Sequence, residues 1–291
     1  MGWNLKGGVA VITGASSGIG RALANHLAGE KMSLALADVN QLGLEETARQ
    51  ITEHSSEKNL RISTHVVDVS NQRRVEQFAS EVVQQHERVT LLINNAGVAL
   101  FGMFEEISLA DLEWLMGINF WGVVYGVRNF LPVLRRQPRA HIVNLSSIFG
   151  MIAPAGQSAY CASKFAVRGF TEVLRHELEG TNVGVSSVHP GGIRTPIAQN
   201  ARVGAGVHPS IRDLNLARFE RHAITSPEEA ANVIVRGVKR NQPRILIGKD
   251  AIRIDRLQRL LPIRYWKVLQ KEYEKEMAEL AAKEKTNAPH T

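Results

Sequence analysis

Residues 13–20 read TGASSGIG, and this glycine-rich stretch decides the fold. It follows the apolar run 8–12, which is typical of a buried parallel strand. Residues 21–28 then place apolar side chains at helical spacing. A strand, a tight turn and a helix in this order predict a phosphate cradle, because glycines admit an anion to the backbone and the helix N-terminus offers free N–H groups. The spacing is G-x-x-x-G-x-G rather than G-x-G-x-x-G, and an ordinary glycine-rich turn is the alternative.

An acidic residue ends the second predicted strand. The apolar run 33–37 stops at Asp38, eighteen residues after Gly20, where a dinucleotide site places the acid that binds the adenosine ribose. A carboxylate there accepts hydrogen bonds from ribose hydroxyls and repels a 2′-phosphate. Because residues 39–41 contain no Arg or Lys and Ser17 is not basic, the sequence favours NAD over NADP. The alternative role of Asp38 is a helix cap.

Further strand candidates alternate with helical patterns. Seven runs have strand character, namely residues 8–12, 33–37, 62–67, 89–93, 140–145, 183–188 and 244–248. This alternation predicts an α/β fold, a Rossmann-type doubly wound parallel sheet of about seven strands with helices on both faces. Such sheets bind ligands at the carboxyl ends of their strands, which is where the polar and glycine-rich motifs of this chain fall.

A tyrosine and a lysine four residues apart predict acid/base chemistry. Tyr160 and Lys164 share one helix face. A free tyrosine has a pKa of about 10, and a neighbouring ammonium, together with the positive charge of an oxidised nicotinamide, is expected to lower that pKa toward the range of a usable general base. Ser147 directly follows a predicted strand, thirteen residues before Tyr160, and is expected to hold the substrate oxygen. Together with the nucleotide cradle, this pair indicates a redox enzyme.

These motifs resemble those of the short-chain dehydrogenase/reductase family. The resemblance extends over roughly residues 5–250, and the motifs that carry it stand in family order: TGASSGIG at 13–20, Asp68, NNAG at 94–97, Asn119, Ser147, Y-x-x-x-K at 160–164 and Pro190-Gly191. It implies a Rossmann-type fold, a nicotinamide cofactor and hydride exchange between an alcohol and a carbonyl.

The resemblance also implies a role for each matching position. The implied catalytic residues are Asn119, Ser147, Tyr160 and Lys164, with Asn119 supporting a water relay to the lysine. The implied cofactor contacts are Gly14, Ser16, Ser17, Gly18, Ile19, Gly20 and Asp38; Asp68 and Val69 at the adenine; Asn95, Ala96 and Gly97 at the adenosine ribose; Tyr160 and Lys164; and Pro190, Gly191, Ile193 and Thr195 near the nicotinamide. The expected substrate contacts are Ser147, Phe149 and Tyr160.

Composition limits the remaining possibilities. The 291 residues predict one catalytic domain over 1–250 and a C-terminal extension over 251–291. The single cysteine and the lack of a signal-peptide pattern favour a cytoplasmic location. The ten histidines lack metal-ligand spacing, so no metal site is predicted. Although the net charge is +7, no nucleic-acid motif accompanies it, and the expected partners are a small molecule and further copies of the chain in a homodimer or homotetramer.

The extension is basic and amphipathic. Residues 250–271 interleave apolar side chains with cations, and Pro262 divides the segment. We interpret it as an accessory element outside the active-site chemistry. Packing against its own domain or a sister subunit is one interpretation, and peripheral contact with a membrane surface is the other.

The segments expected to surround the substrate are largely apolar. They include Val98, Leu100, Phe101 and Phe149, which favour a hydrophobic secondary alcohol or ketone, while basic residues between 202 and 222 leave room for an anionic group. The predicted function is that of an oxidoreductase that uses NAD and a tyrosine acid/base. The alternatives are an NADP-dependent carbonyl reductase and a cofactor-binding sensor or scaffold without turnover.

Overall fold

The computed structural model describes residues 2–54 and 60–287, and side chains as far as residue 279. Its strands are β1 (Val9–Thr13), β2 (Ser33–Asp38), β3 (Ile62–Val66), β4 (Leu91–Asn94), β5 (Leu100–Phe101), β6 (Ala140–Leu145), β7 (Val183–Pro190), β8 (Arg202–Val203) and β9 (Arg244–Ile247). Seven of them form one sheet in the order β3-β2-β1-β4-β6-β7-β9, with every pair parallel. The seven predicted strands are therefore confirmed.

Helices connect the strands. They are α1 (Gly18–Gly29), α2 (Gln41–His54), α3 (Gln72–His86), α4 (Leu109–Met116), α5 (Gly122–Leu134), α6 (Ser158–Glu177), α7 (Pro209–His222), α8 (Pro227–Lys239), α9 (Lys249–Leu260) and α10 (Tyr265–Asn287). A π-helical turn at Gly117–Trp121 joins α4 to α5, and a 3₁₀ turn at Ile148–Gly150 follows β6.

Two apolar cores cover the two faces of the sheet. Successive side chains of a strand point to opposite faces, so Ala10 and Ile12 of β1 pack with α1 and α8, while Val11 packs with α3 and α5. Because β1 is buried on both faces, its sequence is a continuous apolar run rather than an alternating one. The predicted doubly wound α/β fold is confirmed.

The strand order places a crevice beside β1. The chain runs outward from β1 through β2 to β3 and then returns to β4 on the other side of β1. Helices on either side of such a reversal leave a crevice at the carboxyl ends of the two strands, where doubly wound sheets bind ligands. The glycine stretch after β1 and the NNAG motif after β4 both lie at this point.

The extension forms α9 and α10, and Pro262 lies between the two helices. Its first helix is anchored to the sheet, because Ala251 is buried among apolar side chains and Asp255 pairs with Arg244 of β9 at 3.2 Å. Sequence patterns predicted neither the small β5–β8 sheet nor the π-helical turn. No described helix combines the length and apolar content that a membrane span requires.

Candidate active site

The glycine stretch forms a tight turn with an open helix N-terminus. Gly14 has φ +67° and Gly18 has φ +52°, a region that favours glycine. A methyl group on Gly20 would overlap the carbonyl oxygen of Gly14, so the turn is too compact for a side chain there. Ser17 begins α1 without a side-chain cap, which leaves the first N–H groups of the helix available. These features fit the pyrophosphate of a dinucleotide.

Hydrogen bonds of Thr13 and Asn95 hold this turn against the end of β4. Thr13 Oγ1 accepts hydrogen bonds from the amides of Asn95 and Ala96, at 3.0 and 3.1 Å. Asn95 Nδ2 donates in return to the carbonyl oxygens of Thr13 and Gly14, at 2.9 and 3.0 Å. The family resemblance implied only that Asn95 contacts the adenosine ribose. Its side chain also holds the phosphate turn in shape, a role that no motif spacing reveals.

Asp38 lies beside the same turn. One carboxylate oxygen accepts a hydrogen bond from the Ser16 amide and the other from the Asn40 amide, both at 3.0 Å. Asn40, rather than Asp38, caps α2, since Asn40 Oδ1 accepts from the amide of Gly43 at 3.0 Å. The helix-cap alternative for Asp38 is therefore wrong. The acid stands next to the turn, as ribose recognition requires.

The residues predicted to contact adenine follow β3. Asp68 is exposed, and its Oδ1 accepts hydrogen bonds from the amide and hydroxyl of Ser70, at 2.9 and 2.7 Å. Val69 is buried against Gly122, where an added methyl would lie 2.8 Å from Val69 Cγ2. This contact fixes Val69 against the first residue of α5.

Tyr160 and Lys164 project from α6 toward the end of β6. Lys164 is 4% exposed, and its Nζ donates to the carbonyl oxygen of Leu145 at 3.1 Å and lies 5.6 Å from the centre of the Tyr160 ring. Ser147 is also buried, and its hydroxyl accepts a hydrogen bond from the Phe149 amide at 3.1 Å. The three predicted side chains are thus brought together at the carboxyl edge of the sheet.

Burial dominates the electrostatics of this pair. It raises the pKa of Tyr160 to about 12, against an opposing effect of the Ser147 hydroxyl, and lowers the pKa of Lys164 to about 8. Among the groups of the chain itself, burial of the phenol therefore outweighs the effect that the sequence assigned to the lysine, and the charge of an oxidised nicotinamide is the other part of that prediction. The desolvated Lys164 ammonium donates to a backbone carbonyl and lies far from the Tyr160 ring. Its charge therefore lowers the Tyr160 pKa by less than burial of the phenol raises it.

Asn119 lies in the π-helical turn, a distortion that is frequent at functional sites. Its side chain pairs with the backbone of Val98, accepting from the amide at 2.8 Å and donating to the carbonyl at 3.0 Å, and also donates to Ser163 Oγ at 3.2 Å. A methyl on Gly97 would lie 3.3 Å from both Asn119 Oδ1 and Lys164 Nζ. The predicted residues Asn119, Gly97 and Lys164 are therefore neighbours.

The Pro190–Thr195 segment closes onto the glycine turn. A methyl on Gly18 would lie 2.9 Å from Thr195 Cγ2, and buried Ile193 bridges to Thr225. The Gly192 amide donates to Asp250 Oδ2 at 2.7 Å. Asp250 lies in the first turn of α9, so this helix supports the loop expected to hold the nicotinamide. No sequence motif includes Asp250, and the contact was therefore not predicted.

The wall beside Tyr160 is apolar and is shared with the extension. The Phe149 ring meets Tyr160 edge to face, with 6.2 Å between ring centres. Ile148 and Met151 pack with Ala251 of α9. The hydroxyl of Tyr265, at the start of α10, accepts a hydrogen bond from the Ala153 amide at 3.1 Å. The division between a domain at 1–250 and an extension at 251–291 remains a prediction, but the extension borders this wall.

Most basic residues between 202 and 222 already have partners. Arg202 pairs with Asp111 at 3.1 Å and stacks on Trp114, and Arg218, Arg221 and His222 all contact Glu276 of α10. Their charges are neutralised within the chain. This arrangement weakens the interpretation of the segment as an anion-binding wall.

Comparisons with known proteins agree with this geometry. Residues 8–205 match the family model described as short chain dehydrogenase. SadH of Mycobacterium tuberculosis, named as an oxidoreductase, is 42% identical over 270 residues, which cover 91% of this chain and 95% of SadH. A short-chain dehydrogenase/reductase of Burkholderia phymatum in complex with NAD is similar with a TM-score of 0.81 and 33% identity, over 89% of this chain and 95% of that one.

A second similar structure carries the other nicotinamide cofactor type. It is an alcohol dehydrogenase of Thermococcus sibiricus complexed with 5-hydroxy-NADP, with a TM-score of 0.70 and 25% identity, over 83% of this chain and 96% of that one. The cofactor type thus differs among the similar structures, whereas the fold is shared. The chain belongs to the short-chain dehydrogenase/reductase family and is an NAD(P)-dependent oxidoreductase.

Proposed function

We propose that the protein transfers a hydride between NAD and an apolar secondary alcohol or ketone, with Tyr160 as the general acid/base. The observation that carries the proposal is the position of the Tyr160 phenol, which lies beside Ser147 and Lys164 at the sheet edge that holds the glycine turn. A proton-transfer group and a dinucleotide cradle meet at this edge.

In the oxidation direction, the Tyr160 oxygen takes the hydroxyl proton of the alcohol while the carbon loses its hydride and becomes a carbonyl. In reduction, the phenol returns that proton to the carbonyl oxygen. Ser147 orients the substrate oxygen toward Tyr160. When bound, the nicotinamide supplies the hydride acceptor or donor, and in its oxidised form it adds a positive charge that favours the phenolate.

Lys164 acts in two ways in this proposal. Its ammonium stabilises the phenolate electrostatically, and, as the family resemblance implies, it would also donate a hydrogen bond to the nicotinamide ribose. Asn119 fixes the Gly97–Val98 segment against α6 and thereby places the lysine. We assign Asn119 to the proton relay that leads away from Lys164.

The substrate class follows from the wall of the site. The half-buried Phe149 presents apolar surface beside Tyr160, and Ile148 and Met151 pack behind it against α9. The cations Arg218 and His222 of α7 contact Glu276. A hydrophobic alcohol or ketone buries its surface there without leaving a charge unpaired.

One observation favours an NADP-dependent carbonyl reductase as the second candidate. A Tyr160 pKa of about 12 keeps the phenol protonated at neutral pH, the form that reduction needs. Asp38 argues against NADP, because its fixed carboxylate would repel a 2′-phosphate.

The proposal is tested by measuring the turnover of a panel of apolar secondary alcohols and ketones, once with NAD and once with NADP. We expect wild type to prefer NAD, and Asp38→Ala to lower the NAD preference in kcat/KM by a factor of about 10 to 100, because it removes a ribose acceptor and a repulsive charge together. Asp38→Asn, which keeps one acceptor oxygen for a backbone amide, serves as the control for the shape of the turn.

If wild type prefers NADP, the protein is the NADP-dependent carbonyl reductase instead. If it binds a cofactor but turns over no member of the panel, the sensor or scaffold is the function that remains.

A further inference from the structure

The elbow between α9 and α10 exposes apolar side chains. We define the elbow as residues 260–263, namely Leu260, Leu261, Pro262 and Ile263. Leu260 is 79% exposed and Ile263 is 88% exposed, so nearly the whole of each side chain projects into water. Turns normally carry polar residues, and adjacent exposed apolar residues mark an interaction surface. Side chains this exposed form a projecting tip rather than the floor of a pocket.

The two acids of α9 turn inward. Asp250 binds the Gly192 amide, and Asp255 is 8% exposed and pairs with Arg244 and Arg259, at 3.2 and 3.1 Å. These are the only two acids between residues 249 and 271.

The cations around the elbow lie on the protein surface. Arg256, Arg264 and Lys267 are exposed, and none of them forms an ion pair with any residue that the structure describes. The apolar elbow is consequently flanked by unneutralised positive charge.

A groove beside the elbow also combines apolar surface with positively charged side chains. It measures about 490 Å³ and runs between α9 and α10. Ile252, Leu257 and Val268 give it apolar surface. Lys249, Arg253 and Arg256 also line it, and of these Arg253 is paired with Glu272 of α10. Apolar surface bordered by cations matches a phospholipid, whose acyl chains need apolar surroundings and whose phosphate needs positive charge.

We propose that the elbow inserts into the interface of a bilayer that contains anionic phospholipid. Leu260 and Ile263 would enter the boundary between headgroups and acyl chains, and Arg256, Arg264 and Lys267 would contact lipid phosphates. A second copy of the chain fits the surface less well. A two-fold contact would place the same patch on both subunits, and these unpaired cations would then face one another.

The elbow lies next to the site. Tyr265 directly follows Arg264, and its hydroxyl is bonded to the Ala153 amide in the wall near Tyr160. An apolar substrate dissolved in lipid would therefore approach from this side, a consequence that rests on the proposed function. The membrane contact itself does not depend on the reaction.

Co-sedimentation of the full chain with vesicles tests the proposal, and neither cofactor nor substrate is added. The vesicles contain phosphatidylglycerol in phosphatidylcholine, or phosphatidylcholine alone. We expect binding to the anionic vesicles that weakens as salt is raised. The double variant Leu260→Ser/Ile263→Ser should bind at least about tenfold more weakly, because each buried side chain contributes about that factor.

Two further variants make the test specific. Leu42→Ser/Leu109→Ser removes apolar side chains that are 78% and 72% exposed elsewhere on the surface, and should bind as wild type does. Arg256→Gln/Arg264→Gln/Lys267→Gln should lose anionic selectivity, by about fivefold for each cation. Unchanged thermal unfolding will confirm that all variants are folded.

Three results would overturn the proposal. The first is no binding of wild type to anionic vesicles at low salt. The second is equal binding by the elbow variant and wild type, which would indicate attraction by net charge alone. The third is a wild-type dimer that the elbow variant converts to a monomer, without vesicle binding by either, which would make the elbow a subunit contact.

Discussion

Tyr160→Phe should lower turnover by a factor of about 10² to 10⁴, the contribution typical of general acid/base catalysis, while NAD affinity stays within about twofold of wild type. The substitution removes one oxygen and keeps the ring, so the edge contact with Phe149 and the burial of Lys164 persist. Only the group that exchanges the substrate proton is lost. Steady-state rates and a direct NAD titration will separate the two effects.

Tyr125→Phe is the matched control. Tyr125 lies on α5, where its ring stacks on Trp121. The substitution therefore removes the same phenol oxygen from a tyrosine outside the proton-transfer pair. It should retain wild-type turnover. A Tyr160→Phe enzyme that keeps more than about a tenth of the rate would remove Tyr160 from the mechanism.

Gly20→Ala should impair both folding and cofactor binding. The added methyl would overlap the Gly14 carbonyl oxygen and lie 2.7 Å from Asn95 Nδ2, so the turn and its clamp to β4 must open. Forcing a methyl group into such packing costs about 3 kcal/mol or more, which corresponds to a fall in Tm of about 6 °C or more. NAD affinity should fall by more than about tenfold, because the amides that face the phosphates move.

Gly29→Ala tests the same change at the other end of the same helix. Nothing lies within 4 Å of a methyl group there. Its Tm should equal or exceed that of wild type, since alanine is the better helix former. Equal effects of the two substitutions on Tm and on NAD affinity would mean that the compact turn is not what holds the cofactor.

The sequence was sufficient to predict the elements that local chemistry dictates. Strands buried on both faces leave apolar runs, and a turn with φ above zero favours glycine, so both the seven-stranded sheet and the cradle were predictable. The approach of Ser147 to Tyr160 and Lys164 followed from motif order, because parallel strands bring their carboxyl ends to one edge.

Contacts between distant segments were not predictable. The Asp250–Gly192 bond joins residues 58 positions apart, and the Tyr265–Ala153 bond joins residues 112 apart. No local pattern encodes either contact, since each depends on where α9 and α10 dock. The rise in the Tyr160 pKa was missed for the same reason, because burial is a property of the assembled fold.

Tracing the hydride tests the central claim most directly. An apolar secondary alcohol with deuterium on its carbinol carbon is incubated with the enzyme and NAD, and the cofactor is then analysed by mass spectrometry. We expect deuterium in the reduced cofactor and the matching ketone in solution, with both products formed at least about 100-fold more slowly by Tyr160→Phe. If NAD binds but no deuterium reaches NAD or NADP from any alcohol in the panel, the protein is not the dehydrogenase proposed.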